Sequence, residues 1–126
     1  MVTWILWALI LAMLAWMGFN YLRIRRAAKI VGNKEFEALI RTGQLIDLRD
    51  PAEFHRKHIL GARNIPSSQL KTSLAALRKD KPVLLYENQR AQRVTNAALY
   101  LKKQGFSEIY ILSYGLDSWK GKVKTS

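Results

Sequence analysis

The side chains best placed by type and spacing to do chemistry lie in Glu87-Asn88-Gln89-Arg90-Ala91-Gln92-Arg93. This polar loop, residues 87–92, follows the apolar run Pro82–Tyr86 and precedes the amphipathic stretch Arg93–Gln104. A loop between a buried strand and a helix start gathers backbone N–H groups into a nest that binds anions. Arg90 and Arg93 would add positive charge there. A second group stands earlier: Asp47 and Arg49 at the end of another apolar run, then His55 and His58. The chain has no cysteine, which excludes disulfides, Cys-ligated zinc or iron–sulfur sites, and any Cys nucleophile. Two histidines are too few for a His-rich metal site. Only a mixed carboxylate site stays open, and neither a metal nor a cofactor is expected.

The elements that must hold these residues alternate between strand and helix. Lys29–Val31 reads as a short strand. Asn33 is placed to cap a helix in which Phe36, Leu39 and Ile40 share a face, with Gly43 as the stop. Leu45–Leu48 reads as a buried strand. Asp50 would cap a turn of helix with Pro51 first and Glu53 three residues after the cap. Ala62–Ile65 reads as a strand closed by Pro66, and Leu70, Leu74 and Leu77 as a short helix. Pro82–Tyr86 is the most apolar strand. Val94, Ala97, Ala98 and Leu101 face inward on the helix at 93–104, which Gly105 ends. Glu108–Leu112 is the last strand, and Ser118–Lys120 starts a final helix.

Strands separated by helices of this length imply parallel pairing and an α/β sandwich. Ligands in such sheets bind beyond the carboxyl ends of the strands, which again points to the loop at 87–92.

Residues 1–22 carry no charged side chain. As a helix the run is about 33 Å long, enough for a hydrocarbon core of about 30 Å. Trp4 and Trp7 lie near one end, Phe19 and Tyr21 near the other, as interfacial aromatics do. A signal peptide would carry basic residues before a shorter apolar core. Here the run is long and the basic residues, Arg23, Arg25, Arg26 and Lys29, come after it. The reading is a membrane anchor at 1–22, a basic juxtamembrane linker at 23–28 and one domain at 29–126. Basic residues beside a span stay on the cytoplasmic side, so the N-terminus should face out and the domain should lie in the cytoplasm. The same cluster would attract anionic headgroups. The formal net charge of +12 would also suit nucleic acid, but neither a recognition-helix motif nor an aromatic-studded basic strand accompanies it, so nucleic acid is disfavoured.

Leu45-Ile46-Asp47-Leu48-Arg49, then Glu53-Phe54, then His58-Ile59-Leu60-Gly61-Ala62-Arg63-Asn64-Ile65-Pro66 resemble the N-terminal signature of rhodanese domains. Pro82–Tyr86, Gly105-Phe106, Ile109–Leu112 and Gly115-Leu116-Asp117-Ser118-Trp119 match the second half of that family in order. The resemblance covers residues 29–122. It implies the rhodanese α/β fold, with a central parallel sheet and helices on both sides. It also implies a catalytic Cys after the strand at 82–86, holding sulfane sulfur as a persulfide among loop N–H groups. Counted from that strand, Glu87 takes the Cys position; counted back from Gly105, Asn88 does. Glu87, five residues and Arg93 resemble the Cys-x5-Arg loop of related phosphatases. The usual loop glycine is absent, and Tyr114 replaces one glycine of a later pair.

Sulfur transfer needs a soft nucleophile with a reversible S–S bond, which a thiolate supplies and a carboxylate or amide does not. The expectation is therefore a membrane-anchored rhodanese-like domain without sulfurtransferase activity, acting as a binding or scaffolding module for an unidentified protein. The alternatives are sulfurtransferase membership by homology only, and a phosphate- or anion-handling enzyme or sensor that does not use cysteine. Glu87 has two readings: its carboxylate fills the nest that would otherwise hold a persulfide, near Arg90 and Arg93, or it points into water. Asn88, Gln89 and Gln92 are recognition groups at a pocket mouth or a solvated loop. Asp47 and Arg49 read as structural hydrogen-bond partners. His58 reads as satisfying a backbone group before Gly61, and Trp119 as a core plug.

Overall fold

The computed structural model describes residues 2–88 and 92–125, and for 24–27 the backbone alone. The chain begins with helix α1, Val2–Ala27. Its apolar residues up to Leu22 are exposed almost throughout, and the helix is long and apolar enough to cross a membrane. The basic segment expected as a linker continues this helix to Ala27. Only the buried Ala28 then separates it from β1, Lys29–Val31.

The domain follows as α2 (Asn33–Ile40), β2 (Gln44–Asp47), α3 (Pro51–Arg56), β3 (His58–Ile59), β4 (Arg63–Asn64), β5 (Val83–Tyr86), α4 (Gln92–Lys103), β6 (Ile109–Leu112) and β7 (Val123–Lys124). Five strands form one parallel sheet in the order β1-β6-β5-β2-β4. The most apolar strand, β5, is central, with Leu84 beside Leu45 of β2 and Tyr110 of β6. All four of its residues are buried, as a parallel strand covered on both faces requires.

The period of two divides the core. Ile46, Leu48, Val83, Leu85, Ile109 and Ile111 pack with Val94, Ala97, Ala98 and Leu101 of α4. On the other face Leu45, Leu84, Tyr86 and Leu112 pack with Phe36 of α2 and with Trp119. α1 also meets α4 and β1. This is the expected α/β sandwich, with a parallel sheet flanked by helices.

Several expectations need correction. Gly32, not Asn33, occupies the N-cap of α2, and the Asn33 amide instead donates to the Ser118 carbonyl at 2.8 Å. Asp50 stands at the N-cap of α3 but makes no side-chain capping bond. Leu70, Leu74 and Leu77 do not share a helix. They follow or lie in two 3-10 turns, Ser67–Gln69 and Leu74–Ala76. Local bonding explains this: the Thr72 hydroxyl donates to the Gln69 carbonyl at 2.9 Å, and such side chains offer the backbone an alternative to a helical ladder. No helix begins at Ser118. A 3-10 turn at Leu116–Ser118 delivers Trp119 to the core in extended conformation. The chain then returns as β7, antiparallel to β3. Neither β3 nor β7 is expected from the sequence.

Candidate functional site

The carboxyl ends of β2 and β5 meet side by side, with Asp47 opposite Tyr86 in register. Asp47 is fully buried. Arg49 grips its carboxylate with Nε at 3.0 and 3.1 Å and a terminal nitrogen at 2.7 Å. The Arg49 backbone N–H adds a bond of 2.9 Å, and the Tyr86 hydroxyl donates to the same carboxylate at 2.7 Å. That hydroxyl in turn accepts the Ile59 N–H at 3.1 Å. A buried ion pair tolerates its desolvation only when further hydrogen bonds satisfy it, and here every strong acceptor position of Asp47 is used. Burial disfavours the Arg49 cation, but the Asp47 hydrogen bonds and charge outweigh it and raise the Arg49 pKa. Burial, then the Asp47 charge, pushes the Tyr86 phenol far above its ordinary value. Tyr86 is thus a polar member of the site that its place in an apolar run concealed.

Arg49 also ties the network to its surroundings. One terminal nitrogen donates to Asn88 Oδ1 at 3.0 Å, and the other donates to the Lys57 carbonyl. Asn88 passes the connection on, its amide donating to Glu53 Oε2 at 3.0 Å. His58 lies on the same side. Its Nδ1 is 2.7 Å from the Phe54 carbonyl and its ring stacks on Phe54. His58 therefore does satisfy a backbone group, one turn back in α3.

Glu87 follows β5 directly and is 7% exposed. Its carboxylate turns toward the start of α4 and accepts the Val94 N–H at 3.0 Å. The first N–H groups of a helix lack partners within it, so Glu87 supplies from the preceding strand what a cap residue normally supplies. Burial pushes its pKa up, while the Val94 N–H and the Arg93 charge pull it back toward the ordinary range.

Gly115 closes the loop from the other side. Its φ is +69°, and a Cβ there would lie 2.4 Å from the Asn88 carbonyl oxygen and 2.5 Å from that of Glu87. Only glycine adopts this conformation at such an approach. The next residues hold the loop: Leu116 N–H donates to the Glu87 carbonyl at 2.8 Å and Asp117 N–H to the Asn88 carbonyl at 3.0 Å. Gly61, with φ +91°, turns the chain between β3 and β4. Between the loop and α3 lies an open cleft of about 620 Å³ lined by Arg49, Glu53, Arg56, Lys57, Asn88, Leu116 and Asp117.

Asp47, Arg49, Glu87, Asn88 and Gly115 thus come together. Gln89, Arg90 and Ala91 lie outside the described residues. Gln92 and Arg93 are the first two residues of α4 and are exposed. Gln92 does not reach the cleft, since its amide donates along the helix to Asn96 at 2.9 Å. Trp119 stands apart, edge-on to Phe36 with ring centroids 5.9 Å apart, and plugs the core. Among the described residues no three His, Asp or Glu side chains gather as a metal would need. Tyr86, Glu53 and the Lys57 carbonyl are the participants that sequence reasoning missed.

The fold and the sequence of this chain both match known proteins. The sequence description of the rhodanese-like domain fits residues 32–122. This chain belongs to the rhodanese-like domain family. The uncharacterized protein YqhL of Bacillus subtilis is 47% identical over 113 residues, which cover 90% of this chain and 89% of YqhL. The thiosulfate sulfurtransferase GlpE of Stutzerimonas stutzeri is 37% identical over 78 residues, 60% of this chain and 69% of GlpE. Among solved structures, a rhodanese-related protein of Thermoplasma volcanium superposes with a TM-score of 0.70 at 23% identity, over 78% of this chain and 99% of that one. The chain therefore has the rhodanese-like fold and contains no cysteine.

Proposed function

We propose that this protein is a single-pass membrane protein whose cytoplasmic rhodanese-like domain has given up sulfur transfer and serves as a binding or scaffolding module. One observation carries the reading. At the strand end where the family resemblance calls for a cysteine, Glu87 is buried and its carboxylate accepts the Val94 N–H. A carboxylate in this position fills part of the anion nest from within and offers no atom that can carry sulfane sulfur. The neighbouring residues support binding at the surface: Arg49, Arg56, Lys57, Glu53 and Asp117 ring an open polar cleft, which suits a protein surface of mixed charge.

The exposed apolar helix α1 and the basic residues that follow it support a membrane span with the domain on the cytoplasmic side. Because the chain lacks cysteine, single substitutions report topology without background. A membrane-impermeant maleimide should label Thr3→Cys in intact cells and Lys124→Cys only after lysis; the reverse pattern contradicts the orientation.

Crosslinking in native membranes followed by capture of the full-length chain tests the binding role. A discrete protein captured with wild type, and lost when Arg56 and Lys57 are both changed to Glu, is the expected result. Capture that is unaffected by this charge reversal would remove the cleft from the account. Restoring cysteine as Glu87→Cys and separately as Asn88→Cys identifies the position equivalent to the family nucleophile: the variant that gains thiosulfate turnover marks it.

A further inference from the structure

A second cavity, of about 260 Å³, opens at the same end of the sheet on the β4 flank of α4. Its size approaches the roughly 300 Å³ of the smaller small-molecule sites and far exceeds the share of one water, about 30 Å³. Leu70, Ala97 and Tyr100 give it an apolar lining, and Ser67, Ser68, Lys71 and Arg93 a polar one. No acidic side chain lines it. Among the described residues, neither Lys71 nor Arg93 takes part in an ion pair. The Lys71 ammonium lies 5.5 Å from the centroid of the Tyr100 ring, a cation–π distance that keeps the charge at the cavity wall.

The elements explain how these groups meet. Beyond β4 the chain passes Pro66 into the 3-10 turn Ser67–Gln69, which brings the two serines and then Lys71 beside α4. Arg93, Ala97 and Tyr100 recur at helical spacing on the facing side of α4. Two cations and two hydroxyls around one space complement an oxyanion with several oxygens, and a guanidinium can meet two of them at once. The apolar half would cover a carbon body.

We propose that this cavity binds a phosphate-bearing organic group, with the phosphate on Lys71, Arg93 and the Ser67 and Ser68 hydroxyls and the carbon body against Leu70, Ala97 and Tyr100. This goes beyond the pseudoenzyme reading and does not depend on it: the cavity does not include Glu87 and shares with that site only Arg93, whose charge also acts on Glu87. The phosphate could belong to a soluble ester or to a lipid headgroup of the membrane that α1 enters.

The test is an NMR titration of the full-length chain in phosphatidylcholine nanodiscs with phenyl phosphate, and in parallel with inorganic phosphate. Saturable amide shifts at Ser67, Ser68, Lys71 and Tyr100, tighter for phenyl phosphate, are expected. Lys71→Gln and Arg93→Gln should each weaken binding about tenfold, the scale of one charge-assisted hydrogen bond, whereas Lys124→Gln should not. Once these shifts are seen, discs containing phosphatidylglycerol distinguish the sources: loss of phenyl phosphate binding identifies the lipid headgroup, and unchanged binding identifies a soluble ester. Shifts that never saturate, that centre on Glu87 and Asn88 and spare Ser67, Ser68 and Lys71, or that survive both substitutions would overturn the proposal.

Discussion

Glu87 meets two demands at once: a carboxylate at a buried strand end needs a donor, and a helix start needs an acceptor. The Val94 N–H at 3.0 Å satisfies both. Glu87→Ala should therefore cost about 1–2 kcal/mol of stability, the usual range for losing a helix cap, read from urea unfolding. Glu87→Gln keeps an acceptor oxygen and removes the charge. Burial raises the Glu87 pKa, so the folded chain holds this proton more tightly than the unfolded chain does. Wild-type stability should then fall as pH rises from the ordinary carboxylate range through the raised value, and the difference between wild type and Glu87→Gln should stop changing with pH below that window. A difference constant from acid to neutral pH would contradict the buried carboxylate. The Asp47–Arg49 pair is legible in the sequence because its members stand two residues apart at the end of one apolar run. The third partner, Tyr86, is not legible, because its hydroxyl finds Asp47 only through strand register across 39 residues.

The elements that the sequence makes plain are those whose pattern is local. Each long strand is an apolar run, and α4 shows its inward face at 94, 97, 98 and 101. The two-residue strands β3 and β7 are not legible because two residues carry no periodicity and their pairing joins distant parts of the chain. The leucines at 70, 74 and 77 have helical spacing, yet it serves two turns that each bury a leucine, at 70 and 77. Gly115 belongs to this scale, since it links the segment after β6 to the loop after β5. Gly115→Ala combines a positive φ with a Cβ 2.4 Å from backbone. It should destabilise by about 3 kcal/mol, the upper range for such strain, and shift the Glu87 and Asn88 amide resonances. Unchanged resonances there would show that the loop does not rely on this approach.

At the scale of the whole molecule, the exposed apolar α1 runs without a break to Ala27 and reaches β1 through the single residue Ala28. The sequence shows the apolar run and the basic cluster but not that the helix continues through the cluster, because the charges there end the apolar pattern without ending helix propensity. The apolar helix and the domain are thereby joined through a single residue, so under the proposed membrane span the cleft would face one direction. The claim on which the account turns is that this family scaffold works without a sulfur nucleophile. The most direct measurement is the initial rate of thiocyanate formation from thiosulfate and cyanide by the purified full-length wild-type protein, beside Glu87→Cys and a protein-free blank. The account predicts a wild-type rate equal to the blank. A wild-type rate that exceeds the blank and scales with protein concentration would contradict it.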